Sequence, residues 1–448
     1  MSRAPAAAGR AWVTTPDRRL LLQSAPVSAV PRDADVIAVD EDRRDQPMLG
    51  FGAALTDSSA WLLDRLPAAK REETLRDLFD PKSGNGFSVV RVPVGASDFS
   101  TRGSYTYHDL APGESDPQLA RFSIAHDQRY TLRLLRRIRQ INPALVVMAS
   151  PWTAPAWMKK SRHLHGGWLD WAAYPAYARY LVKFLEAYAA EGVPVDYLTI
   201  QNEPRHETKS YPSMRMEPRD QARFVRDHLG PALARSTLRT KLLAWDHNWD
   251  APEYPVEVLG DEGARRYLAG AAYHAYAGRP EAQDMLRRAF PDAEIHFTES
   301  SGGAWATDFG ANLRWDVETL IVGAVRHGAR TVLKWNLALD PAHGPRNGGC
   351  DNCRGVLTVD PKTGTVARNE EYYAFGHASR FVRPGAHRIG SSEPSDLPNA
   401  AFRNPDGWRV LVCADKRGVE RTVAVRDGAT ADAFALTLPA GGIATVTW

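Results

Sequence analysis

Between Met48 and Trp335 the chain repeats one pattern eight times: a short apolar strand, followed in most units by a helical stretch. The strands read as Met48–Ala54, Phe87–Val94, Ala144–Ser150, Tyr197–Gln201, Lys241–Trp245, Ala271–Tyr276, Glu294–Thr298 and Thr331–Trp335. Helices read as Ser58–Leu66, Ala68–Phe79, Asp127–Ile141, Tyr174–Ala190, about Pro218 to Ala234, and Trp315–His327. In the third of these, Leu132, Leu135 and Ile138 fall at helical spacing, and Pro218 suits a first helical turn. Strands that are apolar throughout need both faces covered, which helices between parallel strands provide. Eight such units predict an α/β chain closed into a (β/α)8 barrel. An open doubly wound sheet is the competing arrangement. It is disfavoured because no GxGxxG follows a strand and because nearly every strand ends in polar residues.

The flanking sequence has a different texture. Before the barrel, Trp12-Val13, Leu20–Leu22 and Asp35–Val39 read as strands separated by Pro and Ser. After a helix at Glu370–Phe381, strands are expected at Phe402-Arg403, Trp408–Ala414, Thr422–Val425, Phe434–Leu438 and Ile443–Trp448, with turns at Asn404-Pro405-Asp406-Gly407 and Gly441-Gly442. These form a side β-sandwich, which the N-terminal strands are expected to join. The expected division is therefore 1–45 with the sandwich, 46–382 as the barrel and 383–448 as the C-terminal sandwich.

Charge excludes some function classes. With 56 basic and 53 acidic residues the net charge is +3, and no basic stripe marks a nucleic-acid surface. No window approaches the ~18 apolar residues of a membrane span. Met1 to Arg10 is Ala-rich but too short for the core of a signal peptide. A cytoplasmic chain is the expectation, or a secreted one if a leader was removed, and a monomer is expected. Of the three cysteines, Cys350 and Cys353 form a lone CxxC in a Gly-rich loop, and Cys413 stands apart. A four-cysteine zinc site is excluded. A local disulfide and a pair of free thiols both fit, whereas thioredoxin-like redox chemistry lacks its βαβ setting.

The chemistry lies at the strand ends, which a barrel gathers at one mouth. Tyr197-Leu198-Thr199-Ile200-Gln201-Asn202-Glu203-Pro204 is a strand that stops at a glutamate, where Pro204 removes a backbone donor. Ile295-His296-Phe297-Thr298-Glu299 is a second strand with the same ending. The other mouth residues are Asp57, Arg91, Asp98, Trp152, Asn202, Asp246, His274, Tyr276, Trp335 and Asn336. Flat aromatics stack on the C–H faces of sugar rings, and carboxylates and amides bond hydroxyls. A lone strand-end glutamate is more often half of a structural ion pair. Two of them, with Trp and Asn around one mouth, point to glycoside hydrolysis by paired carboxylates. The acid of such a pair needs a raised pKa, expected here from the apolar walls of Trp152 and Trp335 and from the other glutamate's charge. Arg91 is the cation expected to keep the nucleophile ionised. No cluster of metal ligands stands out, so neither a metal nor a cofactor is expected.

Several stretches resemble glycoside hydrolase family 30, the family of lysosomal glucosylceramidase and microbial β-1,6-glucanases. They are Gly50 to Asp57 (GFGAALTD), Arg91-Val92-Pro93-Val94, Ser150 to Lys159 (SPWTAPAWMK), Gln201-Asn202-Glu203-Pro204, Thr298-Glu299 and Lys334 to Leu339 (KWNLAL). Asn-Glu-Pro is shared by many barrel glycosidases; the Ser-Pro-Trp and Trp-Asn-Leu-Ala-Leu stretches are far more specific. The resemblance runs in order from about Gly50 to the C-terminus. It implies a TIM barrel with a side β-sandwich and retaining hydrolysis of β-glucosides. By the same resemblance Glu203 matches the acid/base and Glu299 the nucleophile. Asn202 matches the residue that bonds the sugar 2-hydroxyl, and Asp98 and Trp152 match groups that hold the terminal glucose. Tyr276 and Trp335 fall on family positions near the nucleophile and ring, with Arg91, His274 and Asp57 in support. The lysosomal enzyme has an aromatic where this chain has Ala275 and an acid where it has Lys334. The resemblance therefore does not carry ceramide over as leaving group.

Within the hydrolase reading, β-1,6-glucan or gentio-oligosaccharides are favoured over glucosylceramide, so the partner expected is a carbohydrate, glucan or glucosyl lipid. A catalytically inactive carbohydrate-binding protein is the reading from another class, and the presence of both glutamates argues against it. An aldolase-type barrel would need a strand-end lysine; Lys334 is expected to face away from the mouth, since strand neighbours alternate.

Overall fold

The computed structural model describes residues 9–428 and 433–448, so most of the Met1–Arg10 stretch discussed above lies outside the described residues. Eight parallel strands close into a barrel. In chain order they are β1 (Gly50–Ala54), β2 (Val89–Val94), β3 (Val146–Pro151), β4 (Tyr197–Thr199), β5 (Lys241–Asn248), β6 (Leu268–His274), β7 (Glu294–Glu299) and β8 (Ala329–Lys334). Each pairs with its sequence neighbour, and β8 closes on β1 through Thr331–Lys334 against Gly50–Ala53.

The period-two pleat of these strands stacks the barrel interior in layers. Val89, Met148, Tyr197, Leu243, Ala272 and Leu333 form one apolar cluster inside. Two residues further along the same strands come Arg91, Ser150, Thr199, His274 and Trp335. One residue type therefore changes to another at a single level of the barrel, and the polar layer lies directly on an apolar floor. On β5 the matching position is three residues on. A register shift between Trp245 and His247 and positive φ at Trp245 (68°) and Asp246 (72°) turn the Asp246 carboxylate inward. Non-glycine residues in that region cost about 1–3 kcal/mol each, so this bulge is maintained by its surroundings.

Outside the barrel, nine strands form a second sheet in which both ends of the chain meet. Arg10–Thr14 pairs with the last strand, Ile443–Thr447. Asp35–Pro47 lies between His387–Ser391 and Arg421–Asp427. Its apolar face includes Val13, Ile37, Val39, Leu411, Val423 and Val446. Asp35–Pro47 is far longer than the Asp35–Val39 expected from sequence. Its charged half, read as non-strand, is paired across the sheet: Glu41 with Arg409 (2.8 Å) and Asp45 with Arg388. The strand His387–Ser391 was not anticipated either, since its Gly390 breaks an already short apolar run. His377, on the helix Glu370–Ser379, joins this sheet to the barrel with bonds to Thr445 and Thr14, each 2.8 Å.

The helix expected from Pro218 to Ala234 is continuous but widens to a π-turn at Val225–Leu229. Pro231 has no N–H to complete an ordinary turn, which is one known cause of such widening. Among the described residues no helix is long and apolar enough to cross a membrane.

Candidate active site

Seven of the residues singled out in the sequence line one cavity of about 410 Å³ at the mouth of the barrel: Asp98, Trp152, Asn202, Glu203, Tyr276, Glu299 and Trp335. Arg91, Asp246 and His274 are fully buried beneath them. Arg91, in the polar layer of β2, reaches three partners. Its Nη1 donates to Glu299 Oε2 at 2.5 Å, and its Nη2 donates to Asn202 Oδ1 at 2.7 Å and Asp246 Oδ2 at 2.8 Å. Tyr276 donates its hydroxyl to the other oxygen of Glu299 at 2.9 Å. Both oxygens of Glu299 are thus fixed. Because Arg91 takes the Asn202 carbonyl, the Asn202 amide N–H group is the part left to face the cavity.

Glu203 follows β4 with φ of 46°, a left-handed conformation that turns its side chain in from the strand end. Its N–H donates to Asp246 O at 3.0 Å. Its Oε1 lies 3.0 Å from His274 Nδ1, and His274 Nε2 lies 3.0 Å from Asp246 Oδ1. Asp246 also accepts from Ser150, Thr199 and Thr298, each at 2.7 Å. With so many donors Asp246 is held well below the usual carboxylate range against the effect of burial, with Arg91 contributing most. One oxygen of Glu203, one nitrogen of His274 and one oxygen of Glu299 all lie within 4.8 Å of one another. Such a trio has ligand spacing for a cation, but the Arg91 guanidinium already bonds Glu299 and opposes a second positive charge there. Sharing of protons fits the trio better.

The walls are aromatic. The Trp152 and Trp335 rings stack with centroids 5.2 Å apart at 21°, and Phe99 meets Trp335 edge-on. Arg91 lies 4.9 Å from the Trp152 ring centroid on the barrel side. Opposite, the Gly-rich loop closes on Asp98. A side chain at Gly349 would place its Cβ 2.9 Å from Asp98 Oδ2, so only glycine lets the loop approach this closely. Cys350 and Cys353 in this loop are joined as a disulfide, and both line the cavity. This settles between the two states left open by the sequence.

This architecture has relatives. The family model described as "Glycosyl hydrolase family 30 TIM-barrel domain" matches residues 48–382, and "Glycosyl hydrolase family 30 beta sandwich domain" matches residues 385–446. The chain belongs to glycosyl hydrolase family 30. Among family 30 relatives, it is 33% identical to the endo-1,6-beta-D-glucanase of Neurospora crassa over 85% of this chain and 81% of that protein. It is 29% identical to the lysosomal acid glucosylceramidase of Mus musculus over 88% of this chain and 79% of that one. Among solved structures, the endo-beta1,6-glucanase BT3312 superposes with a TM-score of 0.92 at 33% identity, covering 98% of this chain and 99% of that one. This chain is a glycoside hydrolase, and its substrate is a glycan or glucolipid.

Two expectations need correction. Asp57 does not join the other mouth residues. It opens the helix Asp57–Arg65, one residue after the N-cap Thr56, and its carboxylate faces the long loop that follows β2. There it accepts from Thr101 N (2.7 Å), Thr101 Oγ1 (2.8 Å), His126 (3.0 Å) and Tyr130. Its role is to tie down that loop. The environment of Glu203 also differs from the apolar one expected. Trp152 and Trp335 lie over Arg91, while Glu203 faces histidines: His274, and His247 at 3.9 Å. Burial alone would raise the Glu203 carboxyl, but the His274 bond and the neighbouring histidines pull it down to about 2. His274 moves the other way. Against burial, the charge of Glu299 and the bonds to Asp246 and Glu203 push it up to about 9. Glu299 is raised, by burial first and by the charge of Glu203, with His274 and Arg91 opposing. Asp98 is pushed well up by burial and by the Glu299 charge.

Sequence reasoning passed over several cavity residues, including His206, Tyr211, His247, Asn248 and Trp305. His206 and Tyr211 sit on the loop after β4 and Trp305 on the loop after β7, where no periodicity marks a direction, while His247 and Asn248 end β5 beyond its bulge. The lone aromatic of the sequence Gly302-Gly303-Ala304-Trp305 was the one available signal.

Proposed function

We propose that this family 30 enzyme cleaves β-1,6-linked glucan with retention, using Glu299 as nucleophile and Glu203 as acid/base. The observation that carries the mechanism is the spacing. One oxygen of Glu203 lies within 4.8 Å of one oxygen of Glu299, on the short side of the carboxyl separations that divide the two mechanisms. Retaining enzymes hold their carboxyls ~5–5.5 Å apart and inverting enzymes ~6.5–9.5 Å apart. In the first step Glu299 attacks the anomeric carbon, the bond to the leaving oxygen breaks, and Glu203 supplies that oxygen's proton. In the second, water attacks the same carbon, Glu203 takes its proton, and Glu299 is released. Arg91 and Tyr276 position the Glu299 oxygens, and Asn202 offers its amide to a sugar hydroxyl.

The Glu203–His274 pair accounts for the proton. Asp246 stays anionic and takes the Nε2–H of His274, so one mobile proton lies along the line from Nδ1 to Oε1. In the free site His274 holds it. As the leaving oxygen gains charge the proton passes from His274 Nδ1 to Glu203 Oε1, and rotation of the carboxyl about its Cγ–Cδ bond hands that same proton to the leaving oxygen. The resulting imidazole is neutral and still bonded to Asp246.

The glucan reading is supported by relatives named as endo-1,6-beta-D-glucanases in Neurospora crassa, at 33% identity, and Aspergillus fumigatus, at 31%. Products from linear β-1,6-glucan, with glucosylceramide assayed in parallel, test this reading. Early release of gentio-oligosaccharides is the expected result. Glucose freed from glucosylceramide, with the glucan untouched, would overturn the substrate and leave the two-glutamate mechanism in place.

A further inference from the structure

A second cavity, of about 500 Å³, adjoins the catalytic one. Tyr276, Ser301 and Trp305 line both, so a single wall separates them. Trp305 and Trp315 stand at its rim with 56% and 42% of their surface exposed. Two glycines allow this shape. A Cβ at Gly303 would fall 1.9 Å from the Trp305 ring, and one at Gly302 would fall 1.9 Å from Glu371 Oε1. The ring therefore lies flat on the Gly303 backbone and presents its other face outward.

The floor is charged, with two basic and three acidic side chains. Lys334 projects out of the barrel from β8 and donates to Asp316 Oδ1 at 2.9 Å. Arg354 pairs with Glu371 at 2.8 Å and Glu370 at 2.7 Å. The exception is Asp316 Oδ2. Asp316 is 3% exposed and lines the cavity, yet this oxygen has no hydrogen-bond partner among the described residues. Buried carboxylate oxygens are nearly always partnered, so a donor from a ligand is the natural complement. Two cations already bonded to three carboxylates leave no excess positive charge to hold an anion, while exposed indole faces and an unpartnered acceptor suit a hydroxyl-rich ring. Ala275 and Lys334, which precede Tyr276 and Trp335 in the chain, both line this cavity.

We propose that this cavity is a second glucosyl-binding site, which takes further units of the polysaccharide whose scissile bond lies between Glu203 and Glu299. The inference rests on the β-1,6-glucan reading. It makes length of substrate, and not the glucose in the catalytic pocket alone, a determinant of rate.

The test is the ratio of kcat/KM on long linear β-1,6-glucan to that on 4-nitrophenyl β-glucoside, which is too short to reach the second cavity. Trp315 lines the second cavity and not the first. Trp315→Ala is expected to lose about five- to tenfold on the glucan, the worth of one stacking aromatic, and to stay within about twofold on the aryl glucoside. Asp316→Asn keeps the Oδ1 acceptor for Lys334 and carries the same expectation without touching the ring, so the test stands if the first variant does not fold. Unchanged glucan rates in the folded variants, or equal losses on both substrates, overturn the inference. Wild-type failure on the glucan, with the aryl glucoside still cleaved, overturns the substrate reading and this inference together. Wild-type cleavage of the glucan that neither variant alters overturns this inference alone.

Discussion

Glu299→Gln is expected to lower kcat by about 10⁴-fold or more, the scale on which loss of a nucleophile is felt, while the fold survives. Glutamine keeps the shape of the side chain. Its carbonyl can accept from Arg91 Nη1, and its amide can donate to the Tyr276 oxygen, the two partners that hold Glu299 at 2.5 and 2.9 Å. Arg91 also retains Asp246 at 2.8 Å, so no unpaired guanidinium is left buried. What glutamine cannot do is attack the anomeric carbon. The measurements are turnover on an aryl β-glucoside and the unfolding midpoint of the same preparation. Near wild-type turnover would remove Glu299 from the nucleophile role; loss of turnover together with loss of the fold would assign it to structure.

The second large effect is expected from Glu203→Ala, and it should divide substrates by leaving group. Poor leaving groups need the proton, so glucan cleavage is expected to slow by about 10²–10⁴-fold. Dinitrophenolate needs no proton, so the first step on its glucoside is expected to be spared and the glycosyl-enzyme to accumulate. Equal losses on both substrates would count against the acid role. The pH profile gives an independent reading. In the wild type, kcat/KM is expected to fall on the acid side as Glu299, raised above its ordinary 4.5, takes up a proton. It is expected to fall on the alkaline side as the Glu203–His274 pair loses its proton near the His274 value of about 9. Removing Glu203 removes the acid whose proton that limb reports, so on the dinitrophenyl glucoside the alkaline limb should flatten.

Much of this site is visible in the sequence because barrel strands end where their chemistry begins. Glu203 and Glu299 each close an apolar run, and Trp152, Asn202 and Trp335 lie at equivalent ends, so a closed barrel brings them together. The departures have local causes. Asp57 looked equivalent because it follows a strand, but it stands one residue past a helix cap, and that single step turns it outward onto the loop anchored by Thr101 and Tyr130. Asp246 looked like any strand-end acid. Its place at the centre of the site depends on the β5 bulge, which no propensity foretells at Trp245-Asp246. The charge state of Glu203 could not be read from neighbours in sequence, because its histidine partner His274 comes from β6. The strand Asp35–Pro47 was cut short for a related reason: its charged half, Asp40 to Asp45, carries no apolar alternation, and its partners are arginines from elsewhere in the sheet.

The most direct measurement is the anomeric configuration of the first product, followed by proton NMR immediately after enzyme is added to a β-glucoside. Two displacements at one carbon, by Glu299 and then by water, predict β-configured product first, with the α-anomer growing in only by mutarotation. An α-anomer released first would mean a single displacement, and would contradict the double displacement with Glu299 as nucleophile.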